Sequence, residues 1–194
     1  MPSRSSTDPV RIALDAAATR IVEAVRDVSA ANPVVLIDGR SGAGKTTLAR
    51  LVAERWPLAG GPQLIAMDSL YPGWDGLDAG TQRALDGILE PHGRGRIGTW
   101  HRWDWGRGED AESHAVDPAL GMILEGCGTI SPATARLADV RVWVRSPDST
   151  RKHRALERDG DTFRPHWERW AVQERSHIER DDPQGLATLT VDIP

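Results

Sequence analysis

One short segment constrains the fold of this chain more than any other feature. Residues Gly39 to Thr46 read Gly-Arg-Ser-Gly-Ala-Gly-Lys-Thr, which fits the pattern GxxxxGK[ST]. The apolar run Val34 to Ile37 precedes this segment, and a helical pattern over residues 45–56 follows it. A strand, a glycine-rich turn and a helix in this order direct backbone N–H groups and the positive end of a helix dipole toward one point. The segment therefore predicts a phosphate-binding loop, with a glycine-rich turn and a chance Lys-Thr pair as the alternative.

The loop residues have separate predicted roles. Lys45 would reach the β- and γ-phosphates of a nucleoside triphosphate, and the Thr46 hydroxyl would hold Mg²⁺. The expected cofactors are ATP, with GTP as the open alternative, and Mg²⁺ carried by the nucleotide. The other predicted nucleotide contacts are Gly39, Ser41, Gly42, Ala43, Gly44 and Thr47.

Short apolar runs alternate with helical patterns along the rest of the chain. Runs without a polar face suit strands that are covered on both sides, and their alternation with helices predicts a parallel sheet with right-handed crossovers. We expect a three-layer α/β/α fold in a single domain over residues 9–194, after a disordered segment at 1–8. The predicted strands are Val34 to Ile37, Leu64 to Met67, Met122 to Leu124, Val140 to Val144 and Thr188 to Ile193. The predicted helices cover residues 10–30, 45–56, 79–90, 131–138, 148–159 and 164–180, and Gly93 to Asp117 is expected to form loops over the cleft.

Composition excludes several classes of protein. The chain has 24 Lys and Arg against 28 Asp and Glu, so it lacks the basic surplus of a nucleic-acid-binding protein. Its single cysteine, Cys127, allows no internal disulfide and fits a reducing compartment. The start of the chain is neither cationic nor apolar, and no apolar stretch is long enough to span a bilayer. We therefore expect a cytoplasmic monomer or homodimer without a nucleic-acid or membrane partner.

Two carboxylates and three arginines complete the candidate catalytic set. Asp68 and Glu125 close the second and third apolar runs, at the strand ends where open α/β sheets bind ligands. One of them can steer the metal and the other can accept a proton. Arg151, Arg154 and Arg158 share one helical face and could neutralise the charge on a moving phosphoryl group. A solvated basic helix face is the alternative reading of these arginines.

Taken together, these segments resemble the uridine kinase-like family of P-loop nucleoside kinases, and more broadly the nucleoside monophosphate kinases. The matching segments are Gly39 to Thr46, Met67 to Tyr71, Leu124 to Gly126 and Arg151 to Asp159. The resemblance implies a P-loop NTPase fold with an arginine-bearing lid at about residues 147–165. Two features depart from the family, because its Arg-Gly-Arg sequence is missing after Arg158 and the helix at 10–30 is an addition.

The resemblance also implies roles for individual residues. Asp68 would take the proton of an acceptor hydroxyl and contact the metal with Thr46, and Tyr71 would line the acceptor pocket. Glu125 would assist at the metal or the acceptor. Arg151 would contact the nucleotide, while Arg154 and Arg158 would act on the transferred group. The segment Trp103-Asp104-Trp105 resembles in type an aspartate flanked by aromatic residues near the nucleoside in that family.

The acceptor side is predicted from an unusual set of aromatic residues. The chain contains 8 Trp against 1 Tyr and 1 Phe. Trp74, Trp100, Trp103 and Trp105 fall with Tyr71 in the regions expected to cover the cleft, where indole rings could stack on a planar substrate. The loop arginines Arg94, Arg96, Arg102 and Arg107 could clamp a phosphate or carboxylate there. Packing of these tryptophans onto the sheet, and solvent-facing loop arginines, are the alternatives.

These observations predict an ATP-dependent phosphotransferase acting on a small planar, aromatic or nucleoside-like acceptor. A nucleoside monophosphate kinase is the second enzyme hypothesis, with loop arginines holding the acceptor phosphate. A nucleotide-dependent ATPase or switch acting through a protein partner is the alternative from another class. It is less favoured because the chain lacks the guanine-reading sequence NKxD.

Overall fold

The computed structural model describes residues 8–194. The predicted disorder at the start of the chain therefore lies outside the described residues, except at Asp8. This residue caps the first helix, because its carboxylate accepts a hydrogen bond of 3.1 Å from the backbone N–H of Val10. Within the described part of the chain, no helix is both long and apolar enough to cross a membrane.

Seven helices and seven strands form the described part of the chain. The strands are β1 Val34–Gly39, β2 Gln63–Ala66, β3 Gly98–Asp104, β4 Glu109–Val116, β5 Met122–Glu125, β6 Val140–Arg145 and β7 Leu189–Asp192. The helices are α1 Pro9–Arg26, α2 Lys45–Glu54, α3 Leu77–Ala84, α4 Glu90–Gly93, α5 Asp148–Phe163, α6 Trp167–Asp181 and α7 Pro183–Leu186. A π-helical turn, Leu85–Leu89, joins α3 to α4.

A parallel sheet of five strands in the order β2-β5-β1-β6-β7 forms the central layer. Successive side chains of β1 point to opposite faces, and both faces are buried. Val34 and Leu36 join the core that contains α3, α5 and α6 residues, while Val35 and Ile37 join the core under α1 and α2. The predicted five-stranded, three-layer α/β/α architecture is confirmed.

The segment expected to form loops, Gly93 to Asp117, instead contains an antiparallel hairpin of β3 and β4. Most of its side chains are exposed or only partly buried, so these strands lack the apolar runs that reveal the central ones. Cross-strand contacts stabilise the hairpin, as where Trp100 stacks on His114 with ring centroids 4.5 Å apart. The expectation of irregular loops was therefore wrong for most of this segment.

The helix expected at 131–138 is only a 3₁₀ turn, Thr134–Leu137. The Thr134 hydroxyl accepts a 2.8 Å hydrogen bond from the backbone N–H of Ser131 and donates one of 2.7 Å to the carbonyl of Thr129. Such local side-chain bonds compete with a regular helix, so the chain turns once and enters β6.

Candidate active site

The glycine-rich loop lies between the end of β1 and the start of α2, where the chain reverses closely against neighbouring elements. Gly42 has φ of +79°, in the left-handed region. A Cβ atom on Gly42 would lie 1.9 Å from the carbonyl oxygen of Arg151, and one on Gly39 would lie 2.4 Å from that of Val144. Glycine is therefore required at both positions, and the first turn of α5 sits directly against the loop.

Lys45 begins α2 and is buried beneath the loop. Its ammonium donates hydrogen bonds to the carbonyl oxygens of Gly39 and Arg40, at 2.7 and 3.1 Å, and lies 3.5 Å from the Cys127 sulfur. Burial alone would lower the pKa of Lys45, but neighbouring acidic groups, among them Glu125, outweigh burial and raise that pKa. The ammonium therefore stays charged at neutral pH, as an anion-binding group must.

Thr46 and Glu125 form the oxygen-rich part of the site. The Thr46 hydroxyl donates a hydrogen bond of 2.9 Å to Glu125, whose carboxylate ends β5 and is 4 % exposed. Burial raises the pKa of Glu125, against the opposing charges of Lys45 and Arg158. No group of three or more His, Cys, Asp or Glu side chains suited to a metal occurs among residues 8–194. Two oxygen side chains suit Mg²⁺, which keeps several waters and is bound largely by nucleotide phosphates.

Asp68 lies beside this pair, as its position after a neighbouring strand predicts. It sits in the 3₁₀ turn that follows β2, and β2 pairs with β5 so that Ala66 is opposite Glu125. The Asp68 side chain is exposed, and its backbone carbonyl accepts a 2.8 Å hydrogen bond from the indole of Trp105. The two candidate carboxylates therefore approach the loop from adjacent strands.

A cavity of about 390 Å³ opens in front of the loop. One side carries polar groups and the other is a wall of aromatic rings, in which Trp74 stacks on Phe163 at 12° and other pairs are tilted or edge-on. Tyr71 meets Trp170 edge-on at 4.8 Å, and Trp74 lies 4.7 Å from Trp105. The lining residues are Ser41, Asp68, Tyr71, Trp74, Trp105, Arg158, Thr162, Phe163 and Trp170. The cavity thus joins the phosphate loop to an apolar aromatic surface.

Three predicted acceptor residues of the β3–β4 hairpin contact other parts of the hairpin or α3 instead, and none of them lines the cavity. Arg102 forms two hydrogen bonds with Glu112, at 2.6 and 3.0 Å. The Trp103 ring lies under the guanidinium of Arg83, 5.8 Å away. Asp104 accepts hydrogen bonds from the backbone N–H groups of Gly106 and Arg107 in the hairpin turn. Substrate binding by Arg102, Trp103 and Asp104 stays a prediction.

The three arginines of α5 have different surroundings. Arg151 is buried, donates a 2.7 Å hydrogen bond to Asp148 and lies 5.4 Å from the Trp167 ring. Arg154 donates to the Ser146 hydroxyl and to the backbone carbonyl of Pro194. Arg158 lines the cavity. Of the three, Arg158 is therefore the one that faces the cavity.

Comparison with known proteins identifies solved structures that share this fold. No protein-family model matches the sequence, and no curated protein is significantly similar to it. Two solved structures are similar in fold. One is described as a possible uridine kinase from Bacillus stearothermophilus, with a TM-score of 0.68, 16 % identity and coverage of 92 % of this chain and 99 % of that one. The other is a candidate fructose transport system kinase from Silicibacter, with a TM-score of 0.56, 17 % identity and coverage of 91 % and 98 %.

The chain has a uridine kinase-like P-loop fold. Both neighbours are described as kinases. Because their sequence identities to this chain are only 16 % and 17 %, the similarity shows a shared fold alone. The predicted P-loop NTPase fold is thereby confirmed.

Within this P-loop fold, sequence reasoning missed three polar residues that contact the loop or the residue directly before it. The Asp38 carboxylate accepts hydrogen bonds from the backbone N–H groups of Gly39, Gly128 and Ile130, at 2.6, 3.0 and 2.8 Å. His177 lies 3.2 Å from Asp38 and 2.9 Å from Asp181 through its two ring nitrogens.

The third missed residue is Glu174, whose carboxylate accepts a 2.7 Å hydrogen bond from the backbone N–H of Ser41. Glu174 and His177 follow Trp170 by four and seven residues and so lie on the buried face of α6. Their polar side chains at helical positions that face the core were the sequence signal that could have identified Glu174 and His177.

Proposed function

We propose that this chain is a Mg²⁺- and ATP-dependent kinase that phosphorylates a hydroxyl of a small planar, aromatic or nucleoside-like acceptor. The observation that carries the proposal is the single cavity in which Ser41 of the phosphate loop, the Asp68 carboxylate and the aromatic wall meet. A kinase needs a nucleotide site and an acceptor site that share one boundary, and this cavity supplies that boundary.

The loop residues fit a magnesium nucleotide. Lys45 and the amides of the first turn of α2 would face a bound phosphate chain, and Thr46 and Glu125 would offer hard oxygen ligands. When bound, Mg²⁺ neutralises phosphate charge and aligns the reacting oxygens. The chain contributes the orientation of Lys45, whose ammonium donates hydrogen bonds to two loop carbonyls.

Asp68 is proposed as the group that accepts the proton of the acceptor hydroxyl. It lies on the cavity wall, in the turn that follows the strand next to that of Glu125, and its exposed carboxylate could reach a bound molecule. Arg158 and Lys45 would stabilise negative charge that develops on the transferred group. Catalysis would then consist of positioning and charge neutralisation.

The surroundings of the loop arginines favour a hydroxyl acceptor over an acceptor phosphate. Arg94, Arg102 and Arg107 are engaged with Glu90, Glu112 and Glu109 on the surface of the same region. A nucleoside monophosphate kinase whose loop arginines hold the acceptor phosphate would need these cations directed into the acceptor site, and none of the three lines the cavity; Arg158, which does, is assigned above to the transferred group. The presence of an acceptor-sized cavity also favours a transferase over a switch that acts through a protein partner.

The test is acceptor-dependent ADP release over a panel of nucleosides, nucleotides and aromatic alcohols. We expect turnover with a subset of ring-bearing alcohols. Asp68→Asn should lower kcat by about 10²- to 10⁴-fold with MgATP affinity changed less than about threefold. Asp86→Asn, an exposed change of the same type, is the matched control. Full turnover in Asp68→Asn would remove Asp68 from the proton role, and activity with monophosphates alone would favour the second enzyme class.

A further inference from the structure

A carboxylate from the last long helix reaches into the phosphate loop. Glu174 is 2 % exposed and lies 133 residues from Ser41 in sequence, yet it accepts the backbone N–H of Ser41 at 2.7 Å. Its second oxygen accepts a 3.1 Å hydrogen bond from Arg40. Burial alone would raise the pKa of Glu174, but the bonds from Ser41 and the charges of Lys45 and Arg40 lower it. Glu174 is therefore ionised at neutral pH.

A buried arginine completes this cluster. Nη1 of Arg151 lies 3.9 Å from Glu174 and has no hydrogen-bond partner among the described residues. Arg151 is 4 % exposed and is held from its other side by Asp148. An unpaired N–H of a buried guanidinium is costly, and phosphate oxygens are strong acceptors for it. Nη1 of Arg151 therefore lies next to the loop, where it could donate to a phosphate oxygen.

The same face of α6 also contacts the acceptor side and the base of the loop. Trp170, one turn before Glu174, lines the cavity. His177, three residues after Glu174, lies 3.2 Å from Asp38, which directly precedes the loop. One rigid helix thus contacts the acceptor wall, the front of the loop and its base. Both substrates of the proposed reaction would be positioned relative to α6.

We propose that Glu174 is a positioning residue for phosphoryl transfer, which fixes the Ser41 amide and the guanidinium groups of Arg40 and Arg151 against the phosphate chain. This inference rests on the proposed kinase function. Breaking a buried ion pair from one side leaves its partners uncompensated and free to reorient. Loss of the Glu174 charge should therefore disturb the transition state more than nucleotide binding, because the cations that attract the nucleotide remain.

The test compares Glu174→Gln with Glu179→Gln, an exposed change of the same type on the same helix. MgATP affinity is measured by titration calorimetry, and kcat by ADP release without acceptor and with the best member of the panel. For Glu174→Gln we expect kcat to fall at least tenfold while the Kd for MgATP changes less than about threefold. Glu179→Gln should match the parent in both. Arg40→Gln breaks the same ion pair from its more exposed side and should also lower kcat more than affinity.

The possible outcomes distinguish the positioning role of Glu174 from the proposed kinase function. If the parent binds MgATP and turns over, and Glu174→Gln behaves like Glu179→Gln, the positioning role is wrong and the kinase proposal stands. A parallel loss of kcat, affinity and thermal stability would assign Glu174 a purely structural role and overturn the inference. If Glu174→Gln does not fold, an Arg40→Gln protein with parental kcat overturns it equally. A parent that does not bind MgATP overturns both.

Discussion

Asp38→Asn tests how the phosphate loop is held from behind. Asp38 is 1 % exposed, and its carboxylate accepts hydrogen bonds from three backbone N–H groups and contacts His177. An asparagine keeps one acceptor oxygen, which can retain the bonds from Gly39 and Gly128. Its NH₂ group would face the N–H of Ile130 and the ring nitrogen of His177, where the native oxygen Oδ2 accepts.

The magnitude follows from the interactions lost. One buried N–H left without an acceptor costs about 1–3 kcal/mol, and a hydrogen bond involving a charged group contributes about 1.5–3 kcal/mol. We therefore expect Asp38→Asn to lower the free energy of unfolding by about 3–5 kcal/mol, a large part of the about 5–15 kcal/mol typical of a domain. The exposed Asp27→Asn should change it by less than about 0.5 kcal/mol.

The pH dependence gives this prediction a second readout. Burial alone would lower the pKa of His177, but Asp38 and Asp181 outweigh burial and raise it. Asp181 is itself paired with Arg180, which also contacts Asp78. A raised folded-state pKa contributes stability that is fully present below the ordinary histidine pKa of about 6.5 and is lost as pH rises through the raised value. The penalty of Asp38→Asn should therefore be larger at pH 6 than at pH 9.

Urea unfolding of the parent, Asp38→Asn and Asp27→Asn at both pH values measures these free energies. A loss of less than 1 kcal/mol, or a penalty that does not vary with pH, would refute the described role of the Asp38–His177 contact.

Two further predictions concern the cavity and the metal pair. Trp105→Ala should raise the KM for the acceptor at least tenfold, because Trp105 lines the cavity. Trp103→Ala, on the hairpin outside the cavity lining, should leave that KM within about twofold. Equal effects of the two variants in steady-state assays would contradict the assigned cavity. Burial raises the pKa of Glu125. If the ionised carboxylate helps to hold Mg²⁺, kcat/KM should fall as the pH drops through that raised pKa. In Glu125→Gln this fall at acid pH should be absent from the pH profile of the residual activity.

The central layer could be predicted from sequence because its strands are covered on both faces. Val34 to Ile37 and Val140 to Val144 are apolar or nearly so, and the sheet orders them as neighbours. The loop of Gly39 to Thr46 is local in sequence, so its residues could be named before any fold was known. The sequence also predicted that Asp68 and Glu125 lie at the same edge of the sheet, because neighbouring parallel strands end at one edge.

The hairpin and the contacts of α6 could not be predicted in this way. The hairpin strands have few buried side chains, and their pairing depends on contacts between strands such as Trp100 with His114. Glu174 contacts Ser41 across 133 residues, and helical spacing gives no information on what a buried face will meet. The aromatic surface was expected to include both Trp103 and Trp105. Because β3 ends at Asp104, Trp105 lies in the turn beyond the strand, and of the two it is Trp105 that lines the cavity.

The proposed function depends most directly on whether the loop of Gly39 to Thr46 binds a magnesium nucleotide. Equilibrium titration of the parent and Lys45→Ala with ATP, in the presence and absence of Mg²⁺, measures this interaction. We expect saturable, magnesium-dependent binding by the parent, with affinity at least tenfold weaker in a Lys45→Ala protein that remains folded by circular dichroism. A folded parent that binds no ATP with Mg²⁺ present, or a Lys45→Ala protein that binds it equally well, would contradict the account.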